Sequence, residues 1–381
     1  MTIKSISMQS LYLFLALVWA CDVLAGSRVW QPASSQALDR RFFYIQDKSS
    51  QSLLTLDDRE VWPGREIRYC WDPSDPRGTK RQLKKNLKAA HNRWITKGLS
   101  SDFRLTEATS EVCQDSDARH DLLFISLVRQ NEGMATSVGR PAMKLPLTVE
   151  TSRCDPKMLL FRGEETGNIG VRDMVANYAH ELGHAWGLYH EHQNPAFWSG
   201  TLLAQGGSVF GPGNNGNWRC ENLKDYNSFR DRIVPASDGV GEMNIDNFCS
   251  SYTAALKVGF SAADYLPMDQ SAGTAHSTQG GPGDVDWASV MIYPSGAGGV
   301  VDNNLPGDDK RSPILLKPDG TRIPENRWPS QMDITGLHQL YGQVPAAKKS
   351  ILQKVGGATT RAFNKVYDLS KGRRQGEAGC L

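Results

Sequence analysis

Four of the chain's eight histidines fall within thirteen residues, at His180, His184, His190 and His192 of NYAHELGHAWGLYHEHQNP. A separation of four puts His180 and His184 on one face of a helix, one turn apart, where two imidazoles can share a metal. Glu181, next to His180, points about 100° away from that axis. From there it reaches an activated water as a base without being a ligand. Gly187 allows a turn at positive φ, which residues with a Cβ resist, and such a turn brings His190 back as a third ligand. Three neutral imidazoles leave a tetrahedral Zn²⁺ with one open position, the pattern of a catalytic rather than a structural site. An ion held so lowers the pKa of a water to about 7 and polarises a carbonyl. His192 lies two residues beyond His190 and faces the other way if the chain is extended there, which makes it a rim or supporting residue.

The rest of the composition excludes other readings. A formal charge of +2 over 381 residues lacks the basic surplus of a nucleic-acid binder. Neither a GxSxG elbow nor a P-loop accompanies the histidines, so serine nucleophiles and phosphate chemistry have no support. The charged fraction of 22% and the mean hydropathy of −0.44 are those of an ordinary globular chain.

Leu11 to Ala20 is an unbroken apolar run of ten residues, about half the length of a bilayer-spanning helix. With Val23 and Ala25 before a cut at Gly26, residues 1–25 read as a signal peptide, and no later segment is long enough to span a membrane. Export leaves Cys70, Cys113, Cys154, Cys220, Cys249 and Cys380, an even set suited to an oxidising compartment, with its pairing open. Residues 26–58 are polar and read as a pro-segment, with Arg40-Arg41 a dibasic site and Asp57 or Asp58 a carboxylate latch among the options.

From Val61 the texture is that of a folded domain. Trp62-Pro63-Gly64 predicts a turn, Ile67–Trp71 a strand, and 79–98 an amphipathic helix with Leu83, Leu87, Ala90, Trp94 and Ile95 on its apolar stripe. His91 lies off that stripe and reads as a surface residue. Asp121–Val128 predicts a buried strand, 133–149 turn and strand, and 168–187 a second long helix. Residues 199–283 loosen into Gly/Ser/Asn-rich loops that Cys220 and Cys249 could close into a lobe. Trp186, Trp198, Trp218 and Trp287 cluster around this region as core or cleft lining. His120, His276 and His338 fall outside the motifs. Residues 346–381 carry a local charge of +6, leaving 26–345 at −4.

In these stretches the sequence resembles the astacin family of metzincin zinc peptidases. His180, Glu181, His184, Gly187, His190 and Glu191 match its extended zinc signature. DWASVMIY (286–293) is similar to its Met-turn, with Ser289, Met291 and Tyr293 in place. WPGREIRY (62–69), SVGR (137–140) and PSQMDITGLHQLYG (329–342) resemble its first strand, the approach to its edge strand and its closing helix. Departures are Ile292 for the usual histidine, Asn194 for arginine, Ala196-Phe197-Trp198 for a charged run, and a long gap between His190 and Met291. The resemblance implies an α+β, two-lobed metzincin (zincin-like) domain over 59–345, with a twisted N-lobe sheet, an active-site helix and an irregular C-lobe. It implies Zn²⁺ on His180, His184 and His190, Glu181 as base, Tyr293 as oxyanion stabiliser, Met291 beneath the metal and Glu191 in a buried network near the mature N-terminus. The implied activity is that of a secreted, extracellular zinc metalloendopeptidase, monomeric, acting on proteins or peptides laid along an edge strand near 133–149. Two alternatives stand beside it: a catalytically inactive secreted zinc-binding recognition protein, and a matrixin-like hydrolase.

Overall fold

The computed structural model describes residues 59–73, 79–115, 118, 121–128, 134–141, 156–161, 170–198, 209–211, 217–230, 245–267 and 285–342. The expected leader and pro-segment, Cys154, Cys380, His120, His276, most of the glycine-rich loops and the basic tail lie outside these residues.

The first half is a sheet backed by two helices. Its strands are β1 (Arg59–Glu60), β2 (Glu66–Trp71), β3 (Arg104–Glu107), β4 (Leu123–Val128), β5 (Ala135–Thr136), β6 (Arg140–Pro141) and β7 (Lys157–Phe161). Five of them form one sheet in the order β3-β2-β4-β7-β5, while β1 pairs with β6. β2, β3, β4 and β7 run parallel, and β5 joins β7 antiparallel at the edge. Parallel neighbours need a crossover, and helix α1 (Thr79–Thr96) supplies the one between β2 and β3. Its predicted stripe is inside, with Leu83, Leu87, Ala90 and Trp94 buried. The disulfide Cys70–Cys113 ties β2 to the short helix α2 (Ser110–Gln114).

Helix α3 (Met174–Trp186) packs on α1. The indole N–H of Trp94 donates to the Ala179 carbonyl at 2.9 Å, and the Trp94 ring meets Trp186 edge-on. The helix begins at Met174 rather than near 168. Asp173 caps it by accepting the Ala176 N–H and pairs with Arg93 of α1 at 3.0 Å. Ahead of that cap, Asn177 holds the backbone of Val171 through both its amide groups, so 170–173 form an entry turn.

The second half is largely irregular. It contains helices α4 (Tyr226–Arg230), α5 (Ile245–Phe248) and α6 (Tyr252–Val258), with the expected Cys220–Cys249 disulfide linking this segment. Helix α7 (Gln331–Gly342) returns to the first half. There the Tyr341 hydroxyl accepts the Trp62 N–H at 3.4 Å and the Tyr341 ring packs on Phe103. Trp62 in turn donates its indole N–H to Ala185 near the end of α3 at 2.7 Å. The architecture is thus α+β, with a sheet-and-helix half and an irregular half, as expected.

His91 corrects an expectation. It is half-buried, with Nε2 2.8 Å from the Phe103 carbonyl and its ring on Trp186. No helix among the described residues is long and apolar enough to cross a membrane.

Candidate metal centre and active site

Helix α3 carries His180 and His184 one turn apart, as their spacing requires. Gly187 ends the helix at φ 111°, in the left-handed region, and its N–H reaches the carbonyls of Gly183 and His184. The chain then doubles back and delivers His190. The three Nε2 atoms stand 3.0 Å (His180–His184), 3.1 Å (His184–His190) and 3.0 Å (His180–His190) apart. Among the described residues this is the one cluster of histidine, cysteine or carboxylate side chains able to hold a metal ion.

The other ring nitrogens decide what the cluster is. Nδ1 of His180 lies 2.8 Å from the Val290 carbonyl, Nδ1 of His184 2.7 Å from the Leu188 carbonyl, and Nδ1 of His190 2.8 Å from Oε1 of Gln193. Carbonyl oxygens only accept, so each Nδ1 carries the proton and each Nε2 presents a lone pair. Gln193 cannot be flipped, because its NH₂ donates to the carbonyls of Ala263 and Leu266 at 2.9 and 3.1 Å. Burial holds the His180 pKa down at about 4. It also lowers His184 and His190 well below the ordinary range, and neighbouring imidazoles add to this. Three neutral acceptors whose lone pairs converge on one point are a donor set for a cation, and the set fits Zn²⁺ in kind and number.

Beneath the helix, Met291 lies against Gly183; a Cβ on that glycine would stand 2.4 Å from the Met291 sulfur. The turn bearing Met291 is pinned from α7. Asp333 accepts the Ser289 hydroxyl at 2.6 Å and the Val290 N–H at 2.9 Å, and Val290 in turn supplies the carbonyl that orients His180. Glu191 is buried as expected. It donates its N–H to the Met291 carbonyl at 3.1 Å and accepts the Asp286 N–H at 3.0 Å, locking the third-ligand turn onto the Met291 turn. Burial pushes its carboxyl well above the usual range, despite that hydrogen bond.

Glu181 is 5% exposed, and its Oε2 has no hydrogen-bond partner. Burial pushes its pKa up to about 8, with the Thr136 hydroxyl acting the other way. Thr136 belongs to β5, the antiparallel edge strand. Just beyond it, Gly139 donates its N–H to the His184 carbonyl at 2.9 Å. The sheet edge is therefore fastened directly to the histidine helix.

Tyr293 is half-buried, with its ring among the histidines. Its centroid lies 4.4 Å from that of His190 and 5.7 Å from that of His180. Burial raises its phenol pKa well above the ordinary value, so it is a neutral O–H donor.

His192 takes one of its two expected places, that of a supporting residue. Residues 191–193 form a single 3-10 turn rather than an extended stretch. His192 is fully buried, stacked on His190 at 5.1 Å, with Nε2 3.0 Å from the Asp264 carbonyl and Nδ1 3.4 Å from the Tyr293 N–H. It is support, not rim.

The sites of departure from the resemblance have local roles. Asn194 caps the next 3-10 turn, accepting the Ala196 N–H at 3.1 Å. Ile292, Phe197 and Trp198 are buried, and the Trp198 indole donates to the His192 carbonyl at 2.6 Å. Trp186 is core, while Trp218 and Trp287 are partly exposed. Residues that sequence reasoning did not single out are Gln193, Thr136, Tyr265 and Asp333. Gln193 alone had a local signal, lying three residues after a ligand on a tight turn.

Two of the 15 solved chains that this chain is similar to are as follows. One is high choriolytic enzyme 1, a hatching enzyme zinc-protease from Oryzias latipes (medaka fish). It is 17% identical, covers 73% of this chain and 89% of that one, and has a TM-score of 0.33. The other is myroilysin, 14% identical, covering 75% of this chain and 97% of that one, with a TM-score of 0.35. No protein-family model and no curated protein matches the chain.

Proposed function

We propose that the protein is a secreted zinc-dependent metalloendopeptidase. The observation that carries this reading is the histidine trio with Nε2 atoms 3.0–3.1 Å apart, beside a buried carboxylate that has an unpartnered oxygen. His180, His184 and His190 would hold the ion, which when bound supplies a Lewis acid that polarises a carbonyl and acidifies water.

The remaining work falls to the chain's own groups. An extended substrate adds to the free side of β5, where main-chain hydrogen bonds align it without demanding a particular side chain. Glu181 takes a proton from the attacking water and later gives it to the leaving amine, a role suited to a carboxyl that burial makes more basic than a free one. Tyr293, kept protonated by burial, donates to the oxyanion that forms on the scissile carbonyl. Gln193, Val290 and Leu188 hold the three imidazoles in the tautomer that ligates. The two disulfides suit an oxidising, extracellular compartment.

Casein digestion by the purified protein and by Glu181→Ala tests this. Turnover by the wild type and none by the variant, at equal zinc content, is the expected result. Equal turnover, or none by either, contradicts it.

A further inference from the structure

Tyr293 sits on irregular backbone, so neither helix nor strand fixes the direction of its phenol. Four rings enclose it instead: His190 at 4.4 Å, His192 at 4.7 Å, Tyr265 at 5.4 Å and His180 at 5.7 Å. Two of these belong to the histidine trio. The other two depend on the segment that lengthens the gap between His190 and Met291. That segment supplies Tyr265 itself, edge-on to Tyr293 at 76°. It also supplies the Asp264 carbonyl, which accepts from Nε2 of His192 at 3.0 Å and so turns Nδ1 toward the Tyr293 N–H.

Tyr265 is itself held on three sides. Its hydroxyl donates to the Ala297 carbonyl. Gly298, at φ 70°, leaves room for that hydroxyl, since a Cβ there would lie 2.4 Å from the oxygen. The Trp218 ring packs on it at 5.8 Å, and the Trp218 indole donates to the Cys249 carbonyl at 2.8 Å, beside the Cys220–Cys249 bond. A covalent staple is thus continuous through Trp218 and Tyr265 with the face of Tyr293.

We propose that Tyr265 and His192 are positioning residues for Tyr293, and that the stapled stretches 217–230 and 245–267 are a working part of the active site rather than a surface insertion. The proposal rests on the reading of Tyr293 as an oxyanion donor. Without the Tyr265 ring a void opens on one side of the phenol, and a donor displaced by even an ångström loses much of its effect.

The test uses the full processed protein with zinc restored. Tyr265→Leu is expected to lower kcat about tenfold to a hundredfold with KM and zinc content unchanged. Tyr265→Phe, which keeps the ring, recovers most of that loss. In a Tyr293→Phe background Tyr265→Leu costs nothing further, because the group it positions is gone. A readout independent of turnover is fluorine NMR of 3-fluorotyrosine-labelled protein, with the Tyr293 resonance identified by its loss in Tyr293→Phe. That resonance moves in Tyr265→Leu and in the Cys220→Ser/Cys249→Ser pair. An unmoved resonance, or an equal kcat loss in the Tyr293→Phe background, overturns the proposal. Full activity of Tyr293→Phe alone also overturns it; a shifted fluorine signal would then place the failure in the donor role and not in the brace.

Discussion

Gln193 accepts the Nδ1 proton of His190 at 2.8 Å while its own NH₂ is held by the Ala263 and Leu266 carbonyls. The His190 imidazole is therefore oriented by the segment that carries Tyr265, through one amide that has no alternative orientation. Gln193→Leu removes the acceptor and leaves two carbonyls buried without donors. Zinc affinity should fall about tenfold to a hundredfold, read by competition with a chelating dye, while His180 and His184 stay in place. An unchanged affinity would show that the helix and the Gly187 turn suffice to orient His190.

Asp333 gives a pH signature outside the histidine trio. Burial first, then the nearby Asp286 carboxylate, push its pKa up to about 6, against the bonds from Ser289, Ser330 and Val290. A carboxyl whose pKa is higher in the folded state holds its proton there after the unfolded chain has released it. Its contribution to stability therefore falls as pH rises from about 4 through about 6. Denaturant titrations across that range should show the stability of Asp333→Asn rising more, or falling less, with pH than that of wild type. Parallel slopes would mean that Asp333 stays ionised in the fold.

These two residues show where sequence reading reached and where it stopped. The histidine helix was legible because its information is local: a spacing of four, then a glycine whose φ of 111° performs the turn its position implied. The stripe of α1 and the apolar run of β4 were legible for the same reason. Asp333 and Tyr265 were not, since their partners Val290 and Tyr293 lie 43 and 28 positions away along the chain, and no periodicity marks such a contact. For His192 the sequence left rim and support both open, and support follows from the tight turn in which Gln193 and Asn194 return their N–H groups to His190 and Glu191. The helix α3 starts at Met174 and not near 168 because the Asp173 side chain accepts the Ala176 N–H and caps it there.

Gly183 separates the two helical histidines and faces the Met291 sulfur. Alanine at that position gains about 1 kcal/mol of helix propensity but must displace a buried side chain, at a cost of about 1–3 kcal/mol. Gly183→Ala should therefore be destabilised in chemical denaturation. In a Met291→Ala background, where the sulfur is gone and only the Trp94 ring stands within 3.2 Å of the new Cβ, the same substitution should cost less than in wild type. Additive effects of the two changes would show that Met291 does not support the helix at this point.

The central claim is that His180, His184 and His190 form a built metal site. Its most direct test is the metal content of the purified protein after dialysis against trace zinc. The account predicts about one zinc per chain, lost in His184→Ala and retained in Glu181→Gln. Wild-type protein that is folded and holds no stoichiometric zinc would contradict it.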